Sequence, residues 1–394
     1  MNNNLLGLSK IDDLLTRGVE EIIDITSLKN KLKNKKQLRV KLGIDPTSPN
    51  IHLGRSIPLL KLRDFQELGH KIVLIIGDFT GLIGDTSDKD SERPMLSEET
   101  IRENLKTYIK QAAKIIDINS AEIYYNSEWL SKLDYMAIGR QADAFSLNEF
   151  ISRENISRRL KDGKRVSLRE LLYPLMQGYD SVQVKSDVEI GGTDQRFNLL
   201  AGRDLQRLHG QEPQDVITNP LIEGLDGRKM SSSFGNTINL FDTPNNIFGK
   251  VMSLKDDLII KYFILLTRVE MQKVNEYKKL LENEANPRNV KMELAFELVR
   301  MYHSQKDADE AKDYFIRTFS KREVPVDMPE FKPTTYNIIL ILVESKIVSS
   351  KSEARRVLSS GGVKINSKAI KDVDYIVTPG SVLQKGKITF LKIL

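Results

Sequence analysis

The chain of 394 residues is too long for one ordinary core, so two or three domains are expected, with ample material for a buried ligand site. Hydrophobic residues make up 40% and charged residues 29%, a globular rather than a disordered composition, and the absence of cysteine excludes disulfides, a cysteine-based zinc site and a thiol nucleophile. The net charge of +6 sits at the carboxyl end: residues 331–394 hold 11 Lys and Arg against 4 Asp and Glu, and the remainder 49 against 50, which suggests a polyanion-binding module on a nearly neutral body. Residues 1–10 carry neither a basic segment before an apolar stretch nor a cleavage-site pattern, and no run approaches the ~18 apolar residues of a membrane span. A soluble protein of the reducing cytoplasm, with no membrane partner, is the expectation.

In chain order, Leu38-Arg-Val-Lys-Leu42 alternates like a strand and stops at Gly43 and the turn-forming Asp45-Pro46-Thr47. A helical pattern runs from about His52 to Leu68, and the apolar run Lys71–Ile76 reads as a buried strand. Strand, helix, strand at that spacing implies a parallel unit, whose ligands sit at the carboxyl ends of the strands, by Gly43–Gly54 and Gly77–Asp85. From about 96 to 175 the reading is mainly helical, with amphipathic stretches at Ile101–Ile116 and Ser146–Leu160, as an insertion between sheet halves. Glycines return at 191–192, 224, 227 and 235, a second helical block spans about 245–319, and two prolines among mixed charges mark a linker. The division that follows is 1–240 for the sheet domain, 241–320 for the helical domain, 321–333 for the linker and 334–394 for the basic module.

Two stretches point to chemistry. In Asp45-Pro-Thr-Ser-Pro-Asn-Ile-His-Leu-Gly-Arg55 a strand end leads into a helix start, with His52 and Arg55 on one helical face. Free N–H groups and the helix dipole attract phosphate there, and Gly54 lets a nucleotide approach the backbone. Taken alone, the stretch reads first as a capped helix with an exposed histidine. Gly227-Arg-Lys-Met-Ser-Ser-Ser-Phe-Gly-Asn236 sets Lys229 among hydroxyls in a loop, where an ammonium could neutralise charge on a triphosphate, although a serine-rich loop is more often merely a linker.

About 175 residues apart and in this order, the two stretches resemble both signatures of class I aminoacyl-tRNA synthetases. Gly81-Leu-Ile-Gly-Asp85, Tyr173-Pro-Leu-Met-Gln-Gly-Tyr-Asp180 and Gly191-Gly-Thr-Asp-Gln195 look like the substrate motifs of the tyrosyl branch. The resemblance spans the chain and implies an α/β fold: a Rossmann-like parallel-sheet catalytic domain with a helical insertion supporting a homodimer, a helical anticodon-side domain, and a small α+β RNA-binding carboxyl-terminal domain. It implies tyrosine, ATP and tRNA(Tyr) as partners, with Mg2+ accompanying ATP and no metal site of the protein's own. His52, Arg55 and Lys229 match catalytic positions. Gly54, Asp194 as the ribose acid, Met230, Ser231, Ser232 and Ser233 complete the ATP set. Asp85, Tyr173 and Gln177 match the holders of the tyrosine ammonium, Asp180 the acceptor of its hydroxyl, and Gln195 a carboxylate or carbonyl contact. Gly43 and Lys41 join the tyrosine set; one bacterial branch carries a tyrosine reaching the substrate hydroxyl at position 41, another a lysine.

Departures from the pattern are Arg55 for the second histidine of the first signature, Ser232 for a lysine of the second, and Thr86 and Asp88 within the run after Asp85. Arginine still donates to phosphate, bidentately. Lys89 and Arg93 match phosphate-contacting positions of a mobile loop. At the carboxyl end, Ser349–Leu358 reads as a helix capped by Ser350 or Ser352, then Gly361-Gly362 and the strand-like Val363–Asn366; Lys351, Arg355, Arg356 and Lys364 are the RNA-binding candidates, in an arrangement resembling a small ribosomal-protein RNA-binding fold. Two other functions fit less well. The indole pocket of a tryptophanyl enzyme has less use for Asp180, a simple nucleotidylyltransferase has no need for a separate RNA module, and a non-catalytic RNA-binding paralogue would need no intact pocket acids.

Overall fold

The structure, a computed structural model, describes residues 10–34, 37–87, 95–320, 328–386 and 389–394. Its first layer is a six-stranded sheet of β1 (Glu21–Ile23), β2 (Arg39–Ile44), β3 (Lys71–Ile76), β4 (Glu122–Tyr125), β5 (Val188–Gly192) and β6 (Asp215–Asn219), in the order β1-β6-β5-β2-β3-β4. β2 to β6 run parallel, and β1 joins β6 antiparallel. The apolar run of β3 is buried from Ile72 onward because helices cover both faces of the sheet, which is why it shows no alternation. The helix Leu53–Glu67 makes the expected crossover between β2 and β3, burying Leu53, Ile57, Leu59, Leu60, Leu62 and Phe65.

The 96–175 stretch is mainly helical, as its sequence reads, but that reading does not disclose that Glu122–Tyr125 form β4, paired with β3 from Val73↔Glu122 to Ile76↔Tyr125. Four residues are too few to display a two-residue period. They are held by the open edge of β3 and by a fork in which Arg39 Nη1 and Nη2 donate to the Glu122 carboxylate at 3.0 and 2.7 Å. The amphipathic stretch at Ser146–Leu160 is two helices, Leu147–Ile151 and Glu154–Lys161, the first opened by a capping box of Ser146 and Glu149.

The helix Leu168–Val184 begins inside the expected insertion and runs out of it. Ser167 and Glu170 form its capping box, and Lys185 closes it in the left-handed region with φ 50°. Glu170 also accepts a two-pronged bond from Arg159 (2.5 and 3.0 Å), both side chains fully buried, so the helix start is fixed to the insertion. Tyr173, Gln177 and Asp180, spaced by four and three, then share one face.

Helices at Pro244–Met252, Ile259–Leu266, Met271–Glu282, Pro287–Tyr302 and Gln305–Phe315 follow, and their buried residues form one continuous core with those of the sheet. Arg268 grips Asp64 through Nε and Nη2 at 2.6 and 2.9 Å, and Tyr302 OH donates to Ser56 Oγ at 3.2 Å, both partners lying on the helix that follows β2. The carboxyl-terminal module has its own core around Ile338, Leu342, Leu358, Val363 and Leu383. Its sheet is β7 (Glu330–Phe331), β8 (Val363–Ile365), β9 (Lys368–Ala369), β10 (Val382–Lys385) and β11 (Thr389–Ile393), ordered β7-β11-β10-β8-β9. The helix Lys351–Ser359 is capped by Ser350, whose hydroxyl accepts from the Glu353 amide. Lys351, Arg355, Arg356 and Lys364 are all exposed.

Candidate active site

A chain that builds β2-β3-β4 outward on one side and β5-β6 on the other must leave a crevice where the order reverses, between β2 and β5. A cavity of about 280 Å3 opens there, walled by Gly43–Asp45 after β2, Gly77 after β3, Asn126 after β4, Gly191 and Gly192 in β5, and Asn219 at the end of β6. It divides into three chemically distinct parts.

The floor is Asp180, 3% exposed. Its Oδ1 accepts from Trp129 Nε1 at 2.8 Å and its Oδ2 from Asn126 Nδ2 at 3.2 Å. Burial pushes its pKa up to about 7, against the nearby Lys41 charge and those two donors. A carboxylate so starved of water favours a ligand that brings a donor to its remaining lone pairs.

The acidic wall is Asp45, Asp85 and Tyr173. Tyr173 OH donates to Asp45 Oδ2 at 2.7 Å, and Thr80 Oγ1 to Asp45 Oδ1 at 2.7 Å. Gly77 is obligatory beside them, since a Cβ there would lie 2.0 Å from Asp45 Oδ1. Loss of solvent raises Asp45 to about 6 and drives Tyr173 well above the ordinary phenol range. Asp85 Oδ2 accepts from Gln195 Nε2 at 2.6 Å, and its Oδ1 from the Ser87 amide and hydroxyl at 3.0 and 2.6 Å. The loop carrying Asp85, whose sequence departs from the tyrosyl pattern at Thr86, is nonetheless anchored. Arg153 donates to Ser87 Oγ (2.8 Å), Asn155 to the Thr86 carbonyl (2.7 Å) and Arg169 to the Ile83 carbonyl (2.6 Å). A wall of this charge suits an ammonium group.

The mouth is cationic. His52 is the residue before the helix Leu53–Glu67, but its side chain makes no capping bond and it is only 6% exposed, which removes the reading of an exposed histidine on a capped helix. Burial first, then the charges of Arg55 and Lys229, hold its pKa down at about 3, so the imidazole is neutral. Gly54 lets that ring lie against the backbone; a Cβ would sit 3.1 Å from it. Arg55 is aimed by Tyr108 OH at 2.7 Å and Thr47 Oγ1 at 2.9 Å. Across the mouth, the loop holding Lys229 is folded by Asn236, whose amide donates to Asp226 Oδ1 (2.6 Å) and the Lys229 carbonyl (3.1 Å) while its oxygen accepts from the Ser231 amide (2.9 Å). Gly227 and Gly235, at φ 82° and 65°, supply its turns. Arg228 stacks on Phe234 at 4.4 Å, and Met230 Sδ lies 3.2 Å from the Gly54 amide. Lys229 Nζ stands 3.2 Å from Asp194 Oδ2, with Ser231, Ser232 and Ser233 along the same rim.

Of the residues marked in the sequence, Gly43, His52, Gly54, Arg55, Asp85, Tyr173, Gln177, Asp180, Asp194, Gln195, Lys229, Met230 and Ser231–Ser233 all line this one cavity. Lys41 does not: it is fully buried beneath it, 2.9 Å from Glu189. Lys89, Arg93 and Asp88 lie outside the described residues. Sequence reasoning missed Asp45 as anything beyond a turn residue, and missed Thr80, Asn126 and Trp129 altogether. The position of Asp45 immediately after β2 is a usable signal for it, whereas Asn126 and Trp129 follow the unforeseen β4. Among the described residues, no cluster of three His, Asp or Glu side chains fit to hold a metal occurs, and no helix is long and apolar enough to cross a membrane.

Residues 33–320 match the family described as tRNA synthetases class I (W and Y), and residues 320–392 the tyrosine–tRNA ligase SYY-like carboxyl-terminal domain. The tyrosine–tRNA ligase of Thermotoga maritima is 46% identical over 385 residues, covering 96% of both chains, and that of Carboxydothermus hydrogenoformans 44% over 398 residues, covering 97% of both. The fold is similar to that of a carboxyl-terminally truncated mitochondrial tyrosyl-tRNA synthetase of Aspergillus nidulans (TM-score 0.67, 19% identity, 79% of this chain and 94% of that one). It is likewise similar to a tyrosyl-tRNA synthetase complexed with L-tyrosine from Archaeoglobus fulgidus (TM-score 0.62, 23% identity, 77% and 99%). With the residues of both signatures gathered in one crevice and near-half identity along almost the whole length, the chain belongs to the tyrosine–tRNA ligase family of class I tRNA synthetases.

Proposed function

We infer that the chain activates tyrosine with ATP, giving tyrosyl-adenylate and pyrophosphate, and then passes the tyrosyl group to the 3′ end of tRNA(Tyr). The observation that carries this is Asp180, a buried carboxylate at the floor of a cavity whose mouth is cationic. Tyrosine enters with its hydroxyl donating to Asp180 and its ammonium against Asp85, Tyr173 and Gln177, and Gln195 meets the carboxylate end. That end then faces the ATP α-phosphorus. The substrate carboxylate oxygen forms the new P–O bond, the bond to the bridging oxygen breaks, and pyrophosphate leaves. No protein side chain becomes covalent. Arg55, neutral His52 and Lys229 stabilise the redistributing charge, Asp194 holds the ribose, and Gly54 and Met230–Ser233 border the nucleotide. Magnesium arrives as part of the ATP substrate, held by phosphate oxygens. Lys89 and Arg93 are further phosphate candidates. In the second step a terminal ribose hydroxyl attacks the tyrosyl carbonyl and AMP departs. The exposed Lys351, Arg355, Arg356 and Lys364 serve as phosphate contacts for the RNA, and the cytoplasm is the compartment.

A homodimer is supported by large apolar side chains that the insertion leaves in solvent, Tyr135 at 93%, Leu168 at 78%, Met136 at 68% and Leu147 at 63% exposure, which a partner subunit would cover. Sedimentation velocity of the intact protein is expected to show a dimer, and Leu168→Glu to release monomers; a monomeric intact protein at micromolar concentration removes the proposal.

Tyrosine is expected to support exchange of pyrophosphate into ATP far better than phenylalanine, which strands the Asp180 carboxylate. Asp180→Ala narrows that preference at least about tenfold. Equal exchange with both amino acids in the unmodified protein would sink the assignment of Asp180.

Lys229→Ala is expected to slow single-turnover adenylate formation by about 10²- to 10³-fold while calorimetric tyrosine affinity stays unchanged, since the ammonium acts on charge that develops in the transition state. Adenylate formation at the original rate makes Lys229 a bystander.

Replacing Lys351 and Arg355 together by alanine is expected to leave pyrophosphate exchange intact but to reduce the salt slope of RNA binding by about 2. An unchanged slope in the folded variant places the RNA elsewhere.

A further inference from the structure

Directly beneath the cavity lies a group of charged and polar side chains that the chemistry above leaves without a task. Lys41 on β2 and Glu189 on β5 face each other in register, both fully buried, with Nζ 2.9 Å from Oε1. Nζ also donates to Ser181 Oγ at 2.7 Å and to the Gln177 carbonyl at 2.9 Å. Glu189 accepts in addition from Gln177 Nε2 (3.1 Å), Ser181 Oγ (3.0 Å) and the Gln214 amide. Room for this exists because residue 202 is glycine; a Cβ there would lie 2.6 Å from Gln214 Nε2 and 2.9 Å from Ser181 Oγ. A buried ion pair is a poor device for stability, since desolvating two charges commonly outweighs their attraction and apolar residues of like volume do as well or better. Its position suggests a different purpose. Both anchors on the overlying helix, Gln177 and Ser181, flank Asp180.

We propose that Lys41 is a positioning residue for hydroxyl selectivity: without touching the substrate, its buried ammonium keeps the Asp180 carboxylate in the charged, acceptor-only form, and Glu189 fixes where that ammonium sits. This rests on Asp180 accepting from the tyrosine hydroxyl. An ionised carboxylate can only accept, so a ligand lacking the hydroxyl leaves it unpaired at high cost; a protonated carboxyl carries its own donor and is cheaper to leave alone. Asp180 is surrounded by Lys41 from β2, Glu189 from β5, Asn126 and Trp129 beyond β4, Tyr173 on its own helix, and Asp45 behind the Tyr173 hydroxyl. Lys41 is the cation of that set and favours the carboxylate, whereas Glu189 and burial oppose it.

The test is the ratio of tyrosine to phenylalanine exchange efficiency, measured from about pH 5 to about pH 9. Using the ratio cancels groups such as Asp45 that serve both amino acids. Selectivity needs ionised Asp180, so it is present above the carboxyl's pKa and lost as pH falls through it. Lys41→Met removes a cation and is expected to move the midpoint of that loss upward by about one pH unit, while Glu189→Gln removes an anion and moves it downward by about one unit. The side-chain amide that Glu189→Gln introduces is accommodated, because Gln214 Oε1 makes no hydrogen bond and can turn to accept from it. A purely structural role would weaken exchange of both amino acids without moving the midpoint. Shifts in the same direction, or no shift, overturn the proposal. If circular dichroism shows Lys41→Met unfolded, Glu189→Gln decides alone, and a midpoint that stays or rises overturns it. Failure of the underlying assignment looks different: the unmodified protein would then fail to distinguish the two amino acids at any pH.

Discussion

The pairing of β2 with β5 is the constraint on which the rest depends. These neighbours are separated in the chain by β3, β4 and the whole helical insertion, and their short parallel register, Val40↔Val188 and Lys41↔Glu189, is where the sheet stops growing in one direction and starts in the other. No backbone connection fills the gap above that pairing, so the crevice follows from connectivity itself. Each loop leaving a strand end must then pass its edge, and for this reason residues as far apart as Asp45, Asn126 and Asp194 meet around one small volume.

The crevice separates charge along its length. Carboxyl groups gather where the helix Leu168–Val184 and the Asp85 loop approach, and cationic groups where the helix after β2 meets the Lys229 loop. Gathering like charges in a low-dielectric space is unfavourable, so each set needs donors or acceptors around it. Each is held by neighbours with no part in the chemistry: Asn236 for the loop, Tyr108 and Thr47 for Arg55, and Arg153, Asn155 and Arg169 for the Asp85 loop. Such support costs little at the moment of reaction because the dipoles are already oriented.

The parallel unit from β2 to β3 was legible because its two strands and connecting helix are long and strongly patterned. The cavity residues were legible as motifs, several of them glycines or charged groups at strand ends. β4 was not, because Glu-Ile-Tyr-Tyr has no pattern of its own and exists as a strand only by pairing with β3. With β4 hidden, Asn126 and Trp129 had no reason to stand out. Lys41 shows a different limit: an alternating strand leaves open which face a lysine takes, and only the partner strand reveals that it points into the protein toward Glu189 rather than into the cavity.

Trp129 is the chain's single tryptophan, and its indole N–H ends on the Asp180 carboxylate. Indole emission responds to hydrogen bonding at that nitrogen and to nearby charge. The protein therefore carries an intrinsic fluorophore wired to the floor of its pocket, with no second indole to dilute the signal. Occupancy of the floor by a hydroxyl, and gain or loss of the proton on Asp180, both become optical events in the unlabelled protein.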